Sequence, residues 1–293
     1  MSKLEAMAYK MQPAGHEKPQ DKRKYEKPDS RLAKGFEKWL KKISFTPCDE
    51  SEEYNEQNDE WCKKALAIIK PLNPSITDAH ALLVHYQDHP KISDAGLFIT
   101  TIYNQSPERD IILDLKLDTP ITAIGYKLAE GKRFINYDNL NSEICSWSKS
   151  PAINYGKMID FGEDSSALLI NLGSTVTIGV SSEDDSAPSP VIINFGKCAG
   201  VISGSDGTII SLNDPTVPDP YDEEYPRFNP KYLLKAEDCR KTPQLAAYLE
   251  RLKQKFEAGR NDYTKALAAL DELGEEPGKN IEQDLEKLLW RKP

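Results

Sequence analysis

Apolar residues along this chain change period midway, and the change predicts two kinds of element. Between residues 29 and 95 they recur at three- and four-residue intervals, the spacing of one helix face. Leu32, Phe36, Trp39, Leu40 and Ile43 follow Asp29 and Ser30, both good N-caps, and Lys34, Lys38, Lys41 and Lys42 fill much of the opposite side. This is a candidate docking helix, although Gly35 weakens it by about 1 kcal/mol relative to Ala. Asp49 to Glu60 is acidic and reads as a linker. Trp61, Ala65, Leu66 and Ile69 then mark a helix over 59–70, ended by Pro71 and Pro74. Ile76, Leu82, Leu83 and Tyr86 mark another over 75–88, stopped by Pro90, and the two together predict a helical hairpin.

From Gly96 the texture becomes short apolar runs separated by turn residues. Leu97 to Tyr103 favours a strand, though a run this short also suits a helix. Asn104 to Pro107 is a turn, and Ile111 to Leu117 is the next strand. A repeat follows. Phe134-Ile135-Asn136-Tyr137-Asp138 recurs as Ala152-Ile153-Asn154-Tyr155-Gly156, Leu169-Ile170-Asn171-Leu172-Gly173 and Ile192-Ile193-Asn194-Phe195-Gly196, with Ile209-Ile210-Ser211-Leu212-Asn213 as a degenerate copy. With Asn (or Ser211) as marker the steps are 18, 17, 23 and 17 residues, and the long step contains the acidic Ser/Pro stretch 181–190. Each unit adds a second apolar run ending at glycine: Ile121 to Gly125, Met158 to Gly162, Val176 to Gly179 and Val201 to Gly204.

Two strands and two glycine turns in 17 or 18 residues predict a coil that buries its apolar face only by stacking on its neighbours, about 4.8 Å apart. Strand alternation places each Ile and the following Tyr, Leu or Phe on one side and Asn on the other, so Ile135, Ile153, Ile170 and Ile193 form a row and Asn136, Asn154, Asn171 and Asn194 a ladder. Gly156, Gly173 and Gly196 are assigned to turns with positive φ. The expected fold class is mixed α and β: a short β-solenoid, a right-handed β-helix, flanked by N- and C-terminal helices.

Coils of this length resemble the GXGXG-type right-handed β-helix, the repeat domain found in the large chain of glutamate synthase and in one component of formylmethanofuran dehydrogenase. Ile124-Gly125-Tyr126-Lys127-Leu128, the Gly131 turn and Phe134-Ile135-Asn136 are similar to that family's first rung, while most rungs here lack its paired glycines. The resemblance covers residues 111–213, about a third of the chain. It implies a scaffold that braces other domains and brings no catalytic residues with it.

Toward the C-terminus, five prolines between Asp214 and Asp238 predict an extended acidic connector. Thr242-Pro243 then opens a helix with Leu245, Leu249, Leu252 and Phe256 on one face and Gly259 as its stop. Two more helices are expected over 262–273 and from Asn280, the last with Ile281, Leu285, Leu288 and Leu289. Such short helices need a surface to pack on, in this chain or in another. The predicted organisation is a disordered basic tail (1–28), a helical region (29–95), about five imperfect solenoid rungs (96–213), a Pro-rich acidic connector (214–242) and a three-helix segment (243–293).

Composition sharpens this picture at its two ends. The chain carries a net charge of -9, yet residues 1–44 hold 12 Lys/Arg against 6 Asp/Glu, a local +6 that leaves -15 for the rest. No run approaches the roughly 18 apolar residues of a membrane span. No secretory signal is evident, and the five scattered cysteines read as reduced thiols of a cytoplasmic protein. His85 and His89 stand four apart, a spacing that suits a metal, but they lack the HExxH glutamate and read as solvated. Gly204-Ser205-Asp206-Gly207-Thr208 lacks the Walker lysine and reads as a turn. No nucleophile elbow, kinase signature or dinucleotide fingerprint occurs. Neither a catalytic set nor a cofactor is expected. The functional expectation is a non-enzymatic scaffold or protein-interaction protein. The alternatives are a carbohydrate-active β-helix enzyme, by analogy of fold, and nucleic-acid binding through residues 1–44.

Overall fold

The computed structural model describes residues 25–45, 51–162, 165–179, 190–198, 202–203, 207–212, 232–235, 238 and 241–289. The expected disordered tail and the expected turn at 204–208, most of the expected connector, and Cys48 and Cys239 fall largely or wholly outside them. Helix α1 (Ser30–Lys42) starts where Asp29 accepts hydrogen bonds from the Arg31 and Leu32 amides, and it buries Leu32, Phe36, Trp39 and Leu40. Helices α2 (Ser51–Ile69), α3 (Ile76–Tyr86) and α4 (Gly96–Gln105) follow. A reciprocal cap between Ser75 and Asp78 opens α3.

Three expectations change in this region. The linker over 49–60 is helical from Ser51. The hairpin of α2 on α3 gives way to α2 packed chiefly on α4. Leu97 to Tyr103, expected as a strand, lies in α4, where every residue from Gly96 to Tyr103 is buried. A helix surrounded on all sides by protein has no polar face, so its sequence carries no period that tells it from a strand.

All the described strands pair in parallel. One sheet has seven, in the order β1 (Asp110–Leu113), β2 (Arg133–Asn136), β3 (Ala152–Asn154), β5 (Leu168–Asn171), β7 (Val191–Asn194), β10 (Thr208–Ser211) and β11 (Tyr232–Lys235). The other has four: β4 (Lys157–Phe161), β6 (Ser174–Gly179) and β8 (Lys197–Cys198) in order, with β9 (Ile202–Ser203) also on β6. Ile135, Ile153, Ile170, Ile193 and Ile210 are direct register partners across the large sheet.

This arrangement corrects the expected β-solenoid. The molecule is a mixed α/β structure of two parallel sheets with helical cover, not a right-handed β-helix. The reason lies in the burial of the central strands, which is complete on both faces. Phe134, Ala152, Leu169, Ile192 and Ile209 join one core with Met158, Phe161 and Ile178 of the small sheet and with helices α1 to α4. The isoleucine row joins a second core with α5 (Pro243–Glu257), α6 (Tyr263–Glu272) and α7 (Pro277–Leu289). Sheets apolar on both faces require a layer on each side. A self-contained coil would leave one of those faces to water.

The C-terminal helices therefore pack on this chain. Leu245, Leu249, Leu252, Phe256, Ile281 and Leu285 lie over the isoleucines. Tyr137 and Tyr155 stack at 4.9 Å, and their hydroxyls donate to the carbonyls of Gly259 and Phe256, both at 2.5 Å. Arg133, at the start of β2, binds Asp110 of β1 and Asp271 of α6, each at 2.5 Å, and so ties the sheet to its cover.

Candidate functional site

Five of the seven non-glycine residues with positive φ among the described residues lie in two loops. Ala123 (φ 57°) and Lys127 (φ 48°) flank Gly125 (φ 83°) in the first, and Glu143 (φ 59°), Cys145 (φ 59°) and Trp147 (φ 56°) follow the same alternation in the second. The loops lie side by side as arches. Ile121 bridges Leu140, the Ala123 amide donates to the Ser142 carbonyl, the Cys145 amide to Ile124 and the Lys127 amide to Ser146. Ala123 thus stands beside Glu143, Gly125 beside Cys145 and Lys127 beside Trp147. A Cβ on Gly125 would come within 2.8 Å of the Cys145 thiol, so the arches close only with glycine there.

This geometry places two side chains at the surface. Trp147 is 37% exposed, one of two large hydrophobic residues so placed among the described residues. Lys127 lies 5.8 Å from the Trp147 ring and 5.4 Å from that of Tyr126, and both Asp59 carboxylate oxygens on α2 accept from its ammonium at 2.7 Å. Beside them is a cleft of about 340 Å³ between α2, α4 and the first arch, lined by Asp59, Cys62, Leu66, Thr101 and Tyr126 among others. Its chemistry is quiet. Burial pushes the Cys62 thiol up to about 11, against the opposing hydrogen bond from Thr101, so the thiol is protonated at neutral pH. Burial, with Asp59 adding to it, also raises the Tyr126 phenol well above its ordinary value. Asn104 is already used by the arch, accepting from the Ala129 amide and donating to the Lys127 carbonyl.

A second groove, about 330 Å³, runs between the starts of the large-sheet strands and the α6–α7 turn. Several of its polar side chains are engaged: Arg133 pairs with Asp110 and Asp271, Lys279 with Glu276 at 2.8 Å, and Glu282 accepts from Thr208.

The asparagines form a continuous ladder. Asn136 donates to Asn154 at 3.0 Å, Asn154 to Asn171 and Asn171 to Asn194 at 2.9 Å, and Asn194 to Ser211 at 3.2 Å; all five are buried. The same amides bracket the backbone two residues on, as at Asp138 and Gly156. Gly156, Gly173 and Gly196 depart from their assigned role, since none has positive φ. They are required for closeness: a Cβ would lie 2.0 Å from the Asp138 carbonyl oxygen at Gly156, 2.0 Å from that of Gly156 at Gly173 and 2.2 Å from that of Gly173 at Gly196.

The candidate docking helix residues Leu32, Phe36, Trp39, Leu40 and Ile43 lie in the core of this chain, with the Phe36 and Trp39 rings 5.0 and 5.4 Å from Phe98. His85 shares a hydrogen bond with the Tyr25 carbonyl and His89 accepts from the Lys91 amide, so the two do not converge. Among the described residues no three His, Cys, Asp or Glu side chains are placed to hold a metal ion. No described helix is long and apolar enough to cross a membrane.

Sequence reasoning missed the arches as a site. Only Gly125 marked them, because a positive φ at Glu143 or Trp147 has no signature in residue type. It also missed Asp138, which is buried and accepts from the Leu115 and Lys116 amides at 2.6 and 2.5 Å. Burial raises its carboxyl to about 6 despite those hydrogen bonds, and Asp114 nearby adds to the shift.

Fold and site together define a parallel-sheet α/β protein with helical cover and a strained surface arch presenting a tryptophan. No family model, curated protein or solved structure matches the chain.

Proposed function

We propose that the protein is a non-enzymatic scaffold that binds other proteins, and that the arch face around Trp147 and Lys127 is its recognition surface. One observation carries this reading: the indole of Trp147 is held partly in solvent by a backbone conformation that L-residues adopt only at a cost. Such strain persists where its surroundings over-determine it, and it clusters at functional positions. Tryptophan is also among the residues that dominate protein interfaces. The carbohydrate-active alternative rested on the β-helix and loses its support with that fold. The nucleic-acid alternative concerns residues 1–44, of which the described residues include α1.

The test is affinity capture from native lysate with full-length wild-type, Trp147→Ala and Trp147→Gly baits. Partners should be lost from both variants. In thermal denaturation Trp147→Gly should be more stable than Trp147→Ala by about 1 kcal/mol, because glycine relieves the left-handed strain. Identical partner lists from all three baits would refute the arch as the binding face.

A further inference from the structure

We infer that the outer face of α1 is a binding stripe for the phosphate backbone of a nucleic acid. The helix holds five cations, Arg31, Lys34, Lys38, Lys41 and Lys42, against one acid, Glu37. At about 100° per residue all five fall within roughly 100° of arc, on the side away from Leu32, Phe36, Trp39 and Leu40. Lys41 is paired with Glu37 at 2.6 Å, and Arg31 lies 3.6 Å from Asp29 with its side chain 75% exposed. Lys34, Lys38 and Lys42 are exposed, and none makes an ion pair among the described residues. A positive ridge therefore stands on a chain whose net charge is -9.

The ridge is presented rigidly. Trp39 Nε1 donates to the Trp61 carbonyl at 3.2 Å, Trp61 Nε1 to that of Ser44 at 3.1 Å, and the Lys91 ammonium to that of Ile43 at 2.5 Å. The same anchoring decides between polyanions. A membrane-surface helix binds by inserting its apolar face, and here that face is core. A nucleic acid strand is narrow enough to follow the ridge alone. From Arg31 to Lys42 the helix rises about 16 Å, long enough to meet several successive phosphates of one strand.

The inference stands on a different surface from the arch and does not depend on it. It is tested with the full-length chain and fluorescein-labelled oligo(dT), by anisotropy at low and moderate salt. Three phosphate contacts predict that wild-type affinity falls roughly 20-fold between about 50 and about 200 mM salt. The triple variant Lys34→Glu/Lys38→Glu/Lys42→Glu should bind at least about tenfold more weakly and with a flatter salt dependence. Its melting temperature should not change, because these side chains point to water. Failure of the wild type to bind oligo(dT) at low salt, or unchanged binding by the triple variant, would overturn the inference. Binding to phosphatidylserine vesicles without binding to oligo(dT) would overturn it in favour of a membrane surface.

Discussion

In the large sheet, Asn136, Asn154, Asn171 and Asn194 each pass a hydrogen bond to the next strand, and the first three also donate to backbone carbonyls. In the arches, Ser146 Oγ and the facing helix's Asn58 Oδ1 are buried without a hydrogen-bond partner among the described residues. Both regions lay one chain segment against the next. The sheet does so with identical residues in register and turns its polar groups inward on each other. The arches do so with dissimilar residues in a matched, costly backbone conformation, and they put Lys127 and Trp147 at the surface. Repetition thus saturates the interior, while irregularity is where the molecule has something left to offer a partner.

Three measurements can break or sharpen that contrast. The largest effect is expected in the sheet. Leu169→Ala and Ile170→Ala occupy opposite faces, both fully buried, and each should cost roughly 2–5 kcal/mol in chemical denaturation. A mild effect at Ile170 alone would mean that the helical cover does not seal the isoleucine row.

Next in size is the ladder itself. Asn171→Ala strands the Asn154 amide and the Asn194 carbonyl, at roughly 2–4 kcal/mol. Asn141→Ala removes a single partly buried hydrogen bond to Thr122 in the arches, and about 1 kcal/mol should suffice. Equal losses at the two sites would abolish the distinction between a saturated sheet and looser arches.

The third effect lies at the seam, where Asp138 follows β2. Its carboxyl is raised from 3.8 to about 6 in the folded protein, so the native state holds the proton more tightly than the unfolded chain. The sign follows: stability falls as pH rises from 3.8 to about 6 and stays lower above that window, by roughly 2–3 kcal/mol. Asp138→Asn should flatten this slope. At neutral pH it should still lose stability, since an amide offers one acceptor where the Leu115 and Lys116 amides need two. A slope unchanged in Asp138→Asn would assign the pH dependence to another group.

Much of this was legible in residue order, and the missing parts have physical causes. The amphipathic period of α1 and the start signals at Asp29 and Thr242-Pro243 located helices, because these signals are local. The Ile-Asn spacing identified which residues would meet, since strand alternation is an invariant of the backbone. It did not reveal that Leu97 to Tyr103 is helical, because complete burial erases the polar face on which periodicity depends. Nor did it mark Asp138, an ordinary carboxylate until two amides from a distant loop close on it.

Amino-acid order by itself determined the repeat, the alternation of isoleucine and asparagine, and the charge separation between the first 44 residues and the remainder. Only the tertiary structure decided that helices α5 to α7 would cover the isoleucine face, making a layered α/β molecule in place of a coil, and that Trp147 would stand in solvent. The reason is range: side-chain period and charge are written in neighbours, whereas what covers a face depends on segments more than a hundred residues away.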